Sequence, residues 1–178
     1  MYGMIHRALH EMLADSLNED YSTEILKKLG IGPDAMLSTV VYPDEQTLEM
    51  VAAVAETMGV TIPECLERFG RYWIVFSERG LYRNILDFTG KDIVTFIKNL
   101  DAMHNTIVAV MPQANVPSFK ISEHKAGELL VEYQSSRVGL EPFVTGLLYG
   151  LLDKFDHQGS VNYIDGTTNP SQFRIIYK

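Results

Sequence analysis

Tyr133, Ser135 and Arg137 stand two apart at the end of an alternating run in "EYQSSRVGLEPF", residues 132–143. On an extended chain, residues two apart share a face. The spacing therefore predicts a phenol, a hydroxyl and a guanidinium presented together. Such a trio is either a solvated strand face or a carboxylate-binding patch. In the second case the arginine fork grips both oxygens and the two hydroxyls add donors.

A second residue with chemistry in it lies upstream. The helix predicted from Asp92 to Val110 carries an apolar stripe of Ile93, Phe96, Ile97, Leu100, Ile107 and Met111, and steps of three and four place His104 in the middle of it. Asp101 and Asn105 lie off that face and are no obvious partners. Two readings are open. His104 is a core histidine bonded to a backbone carbonyl, or it is an axial ligand whose neutral imidazole faces an apolar cavity holding a flat metal cofactor. One histidine without thiolates cannot complete a four-ligand zinc site. Haem brings four nitrogens of its own and asks for one axial ligand, and its two propionates would give the Tyr133–Ser135–Arg137 trio something to bind.

The elements that must position these residues follow from periodicity. Ile5, Ala8, Leu9, Met12 and Leu13 form a helical stripe. Tyr21–Leu29 is a short helix stopped by Gly30, with a turn at Gly32–Asp34. Asp44 is read as the N-cap of a helix to Met58 with Leu48, Val51, Ala52, Val54 and Ala55 inward. "TIPE" at 61–64 reads as a capping box for a helix to Phe69, broken at Gly70. A short helix is expected over Leu81–Phe88. After Val110 the texture changes to strands at Phe119–Ser122 and Glu128–Gln134, a helix over Glu141–Phe155, and a closing hairpin of Val161–Ile164 and Gln172–Tyr177 around "DGTTNP". Helices followed by a small antiparallel sheet with one helix make an α+β arrangement.

Composition bounds the function. The formal charge of −8 argues against nucleic acid and anionic membrane as main partners. With 46% hydrophobic residues and mean hydropathy near zero, the chain is a folded globular protein, expected as one domain over 1–178. Cys65 is the sole cysteine, which removes a disulfide framework and any covalent haem attachment. With no signal peptide or long apolar run, the expected location is cytoplasmic.

Several stretches together resemble the haem-nitric oxide/oxygen binding (H-NOX) family, which includes bacterial gas sensors and the haem domain of the soluble guanylate cyclase β subunit. They are "MYGMIHRAL", "FGRYWIVF", "NLDAMH", "PSF" and "YQSSRVGL", with Y-x-S-x-R at Tyr133, Ser135 and Arg137. The resemblance implies a helical part, over residues 1–65 or so, packed on a haem-proximal part over 66–178. A non-covalent haem b would be buried between them, with its iron on His104. It implies a propionate clamp at Tyr133, Ser135 and Arg137, a porphyrin-distorting proline at Pro117, and a distal wall of Ile5, Trp73, Phe143 and Leu147. Oxygen-binding members carry a distal tyrosine, and that position falls here on Phe143 or Pro142, neither of which donates a hydrogen bond. The implied ligands are therefore NO and CO, with O₂ disfavoured and Trp73 the one obvious donor nearby. The implied mechanism is release of the Fe–His104 bond by NO, followed by a shift of the helical part against the sheet part. No nucleotide-binding loop is present, so the chain is expected to be a sensor and not an enzyme. It would signal to a histidine kinase, a cyclic-di-nucleotide enzyme or a guanylate cyclase.

Two other classes compete. A haem enzyme would need distal acid–base groups or a thiolate, and the implied distal residues are apolar. His6 and His10, four apart on the first helix, have metal-binding spacing but lie off its apolar stripe and are expected at the surface. A cofactor-free interaction module would leave His104 as a satisfied core residue, and Cys65 as ordinary packing.

Overall fold

In the computed structural model residues 1–30, 37–79, 82–164 and 170–178 are described. The Gly32–Asp34 turn, Leu81 and nearly all of the "DGTTNP" turn lie outside them. The chain divides into two compact units, Met1–Phe69 and Gly70–Lys178.

The first unit is helical. α1 (Gly3–Ser16) packs on α2 (Glu19–Lys28) and α3 (Asp44–Met58), and α4 (Ile62–Ser77) begins here. Asn18 caps α2 by accepting the Tyr21 N–H at 3.1 Å. The capping box forms as expected: Thr61 N–H donates to Glu64 Oε2 at 2.8 Å and Glu64 N–H to Thr61 Oγ1 at 3.4 Å. Asp44 turns out to be the first helical residue of α3, with Pro43 at the cap. There its carboxylate can still favour the positive end of the helix dipole. Ala8, Leu9, Met12 and Leu13 are buried along with Met50, Val51, Val54, Ala55 and Cys65. Burial pushes the Cys65 thiol up to about 11, so it stays protonated and packs as a small apolar group.

Two further expectations for this unit fail. Leu48 faces outward, because the buried stripe of α3 runs through Thr47, Met50, Val51, Val54 and Ala55. His6 is fully buried, and its Nε2 lies 2.7 Å from Thr47 Oγ1 beside the Tyr42 ring. The buried face of α1 is wider than the aliphatic stripe, and a hydroxyl from α3 satisfies the imidazole.

The second unit holds the rest of α4, α5 (Arg83–Thr89), α6 (Ile93–Val110), α7 (Glu141–Lys154) and four strands: β1 (Ser118–Lys125), β2 (Glu128–Gln134), β3 (Gly159–Ile164) and β4 (Ser171–Tyr177). Asp92 caps α6, accepting the Thr95 N–H at 2.8 Å. The strands form one antiparallel sheet in the order β1-β2-β4-β3. Beside the helices this is the α+β arrangement read from the sequence. Phe119, Leu129, Val131, Phe173 and Ile175 of the sheet share a core with Phe96, Ile97, Leu100, Val144, Leu148 and Leu152.

Gly70 does not break α4, which runs straight through it. Its role is to leave room. A Cβ built there would sit 2.0 Å from the Phe143 carbonyl oxygen and 2.8 Å from the Leu147 nitrogen, so α7 can touch α4 only because residue 70 has no side chain. Gly150 makes a similar contact, where a Cβ would lie 2.7 Å from Ile74. Overpacking a close helix crossing typically costs ~1–3 kcal/mol. Gly70→Ala is expected to lower stability by about that amount in chemical denaturation, despite alanine's better helix propensity. A gain in stability would show that the crossing is looser than described.

Candidate functional site

His104 lies in the C-terminal half of α6, half-buried, where the stripe that is sealed from Ile93 to Leu100 opens outward. Its Nδ1 stands 2.8 Å from the carbonyl oxygen of Pro117. A carbonyl can only accept, so Nδ1 carries the proton and Nε2 keeps its lone pair. Among the described residues, no hydrogen bond engages Nε2. None of the fully sealed side-chain nitrogens or oxygens among those residues lacks a partner, so Nε2 is not fully sealed. Burial is the largest influence on the ring and holds its pKa below the ordinary histidine range; the Pro117 carbonyl and the nearby Asp101 carboxylate work the other way and lose. The ring is neutral at pH 7.

Asp101 is the residue that sequence reasoning missed. One turn before His104, its Oδ2 accepts the Ser118 hydroxyl at 2.7 Å and its Oδ1 the Phe119 N–H at 2.9 Å. These bonds pin the start of β1 to α6 and so fix Pro117, whose carbonyl holds His104. The only hint in sequence was an acid i−3 to the histidine, with "PSF" beyond the helix end. Phe119 then packs its ring 6.3 Å from His104 and 5.3 Å from Tyr133.

Tyr133 is buried on β2, but the strand ends at Gln134. Ser135 and Arg137 therefore do not continue a strand face. They sit in the turn leading to α7, where the Arg137 N–H donates to Ser135 Oγ at 3.0 Å and folds the chain back. Burial is the chief cause that raises the Tyr133 phenol pKa, while Ser135 and Arg137 nearby work the other way. The Arg137 guanidinium donates to the Asn115 carbonyl at 2.6 Å, in the segment between α6 and β1 that also bears Pro117.

The remaining candidates occupy other places. Trp73 and Leu147 are half-buried against the core of the second unit, with the Trp73 ring 5.6 Å from Phe76. Phe143 is half-buried in the first turn of α7, just after Pro142. Ile5 is half-buried on α1 of the first unit.

The donor set fits a haem. One neutral imidazole nitrogen without a hydrogen bond could supply the single ligand that a haem iron asks of the protein, and a phenol, a hydroxyl and a guanidinium could supply partners for carboxylates. No group of three or more histidine, cysteine, aspartate or glutamate side chains among the described residues could hold a bare metal ion. Among those residues, no helix is long and apolar enough to cross a membrane.

A family model described as haem-NO-binding matches residues 2–163. The chain is 28% identical over 152 residues to the soluble guanylate cyclase gcy-35 of Caenorhabditis elegans, covering 83% of this chain and 22% of that protein. It is 33% identical over 101 residues to the guanylate cyclase soluble subunit beta-2 of Rattus norvegicus, covering 56% and 15%. The chain thus spans about a fifth of the length of such relatives. Among solved structures, an H-NOX protein from S. oneidensis in the Fe(II) ligation state superposes with a TM-score of 0.88 at 17% identity, over 100% of this chain and 96% of that one. An oxygen-binding H-NOX domain related to soluble guanylate cyclases, solved as its oxygen complex, gives 0.83 at 23% identity, over 100% and 95%.

Two outcomes follow from the site. Asp101→Ala should loosen Pro117 and let the His104 proton exchange between its two nitrogens. In ¹⁵N NMR of the cofactor-free protein the Nδ1-protonated signature should be lost, whereas Asp101→Asn, which keeps an acceptor for the Phe119 N–H, should retain most of it. The pH dependence also has a sign. His104 is held below the unfolded value of about 6.5, so the unfolded chain takes up its proton first as pH falls. Stability should therefore drop as pH is lowered through that value, and the slope should be shallower in His104→Gln. Equal slopes in urea titrations would contradict it.

Proposed function

Since this chain belongs to the haem-NO-binding family, we propose that it is one sensor domain that binds haem b non-covalently, takes NO and CO, disfavours O₂, and reports to a signalling partner. The observation that carries the reading is the His104 imidazole, protonated on Nδ1 by its bond to Pro117, with the lone pair left on Nε2. That is the tautomer an axial ligand needs, with a carbonyl behind it to orient the ring.

When bound, the haem would supply an iron able to take a diatomic gas as ligand. The chain's own residues do the rest. His104 would hold the iron from α6. Tyr133, Ser135 and Arg137 would hold the propionates, with the guanidinium as the charged partner. Pro117, fixed by Asp101 through Ser118 and Phe119, would press on the macrocycle. Movement of His104 would be felt first in its Pro117 bond and in the Asp101 staple, which join α6 to the sheet.

Selectivity is supported by what the implied distal positions lack. Pro142 and Phe143 offer no side-chain donor. Bound O₂ gains from a hydrogen bond, and its loss, at ~1.5–3 kcal/mol, would weaken O₂ by roughly one to two decades. The packing of Trp73 against Phe76 and the core supports a packing role for the indole. The relatives named as soluble guanylate cyclases support a cyclase-type effector, in which any catalysis would reside. A histidine kinase or a cyclic-di-nucleotide enzyme would serve the same chemistry.

The protein reconstituted with haemin and reduced should be red. Its Soret band should shift under CO and NO and stay unchanged in air, with NO giving a five-coordinate spectrum. His104→Gly should lose the haem or require added imidazole to keep it. A colourless protein that refuses haemin ends the reading; a stable oxygen complex ends the selectivity argument.

A further inference from the structure

Residue 136, the position inside Y-x-S-x-R that the signature leaves open, is tied across to the segment before β1. Asn115 Nδ2 donates to Ser136 Oγ at 2.6 Å, while the backbone carbonyl of the same Asn115 accepts from Arg137 Nη1 at 2.6 Å. One asparagine thus holds two consecutive residues of the clamp turn, one through its side chain and one through its main chain. On the other flank, the Arg137 N–H is held by Ser135 Oγ at 3.0 Å. The guanidinium is therefore fixed at its root and near its tip. Two residues beyond Asn115 comes Pro117, whose carbonyl holds His104.

We propose that Asn115 and Ser136 form a latch that positions Arg137 for the carboxylates of the haem and ties the clamp turn to the segment anchoring His104. This rests on the haem-binding reading above. A flexible arginine loses side-chain entropy on gripping a ligand, and a latch that orders it beforehand recovers affinity by lowering that cost. Residue 115 must both donate from its side chain and accept from its main chain. Aspartate would lose the donor and set a competing carboxylate beside Arg137. Asn115 and Ser136 are both exposed, so their bond adds little to global stability. Positioning is the role left for them, and stability and positioning can be separated by experiment.

The test measures haem transfer from Ser136→Ala, Asn115→Ala and Ser136→Thr to excess apomyoglobin, with thermal midpoints of the haem-free forms alongside. Ser136→Ala and Asn115→Ala should lose haem roughly 3- to 10-fold faster, the scale of one neutral hydrogen bond. Ser136→Thr, which keeps the hydroxyl, should stay within about twofold of the parent, and the midpoints should not move. In the haem-free protein, NMR of the Arg137 guanidinium should show hindered rotation in the parent and in Ser136→Thr, and averaging in Ser136→Ala. Unchanged haem loss in Ser136→Ala, no rescue by threonine, or equal Arg137 mobility in all forms overturns the latch. Failure of the unmutated protein to take up haem overturns the reading of the site instead, and the two failures are distinct.

Discussion

The bond from His104 Nδ1 to the Pro117 carbonyl, 2.8 Å long, is the constraint on which the rest of the site depends. It decides which ring nitrogen carries the proton, aims the other one, and makes the aim depend on the backbone after α6. A histidine with two free nitrogens would sample both tautomers and several ring orientations. This one is committed, and what commits it is a main-chain oxygen that no side-chain substitution can remove directly. Control of the ring therefore passes to whatever fixes Pro117: the two hydrogen bonds accepted by Asp101, and the register of β1 against β2 that starts at Ser118 opposite Gln134.

Behind that staple the second unit is built to resist shear. Aromatic rings run from His104 through Phe119 and Tyr133 to Phe173 and Tyr163, with centroids 5.2 to 6.3 Å apart, so the sheet core backs the imidazole directly. On the helical side, α4 and α7 touch at Gly70 and Gly150. Arg71 and Asp153 make a two-pronged pair across them, with Nη2 to Oδ1 at 2.7 Å. That pair is exposed and contributes little. Lys154, only 10% exposed and 2.8 Å from Glu78, is the stronger tie, because partial desolvation raises both the attraction and the cost of leaving either partner alone.

Sequence periodicity was enough to place His104 on α6, to find the strands that carry Phe119 and Tyr133, and to locate the Thr61–Glu64 capping box. These are local signals, set by spacing along one element. What stayed hidden was tertiary. Asp101 looked idle because its partners lie beyond the end of its helix. His6 looked exposed because the stripe was drawn from aliphatic residues, and the hydroxyl that satisfies it comes from Thr47. Gly70 reads as a breaker by propensity, yet the close approach of α7 makes its missing side chain a packing requirement. Ser135 and Arg137 were given a strand face by period two, but the strand stops at Gln134 and the turn brings them back by hydrogen bonding instead. Spacing along the chain could not show the turn that follows Gln134.

The balance of effects on His104 also fixes how a ligand there would couple to folding. Burial outweighs the carbonyl and the Asp101 charge, so the ring is kept neutral, and a neutral ring with Nδ1 occupied can gain only at Nε2. A ligand that takes that lone pair and gains from the fixed aim of the ring binds the folded chain more tightly than the unfolded one, since only the fold holds Pro117 against the ring. By linkage such a ligand stabilises the fold in proportion to the logarithm of its concentration over its dissociation constant. The coupling is reciprocal: anything that slackens the Asp101 staple lowers affinity at Nε2, and anything that pulls on Nε2 loads the staple. The ring is thus joined to the backbone of β1 through its Pro117 bond and the two parallel bonds accepted by Asp101.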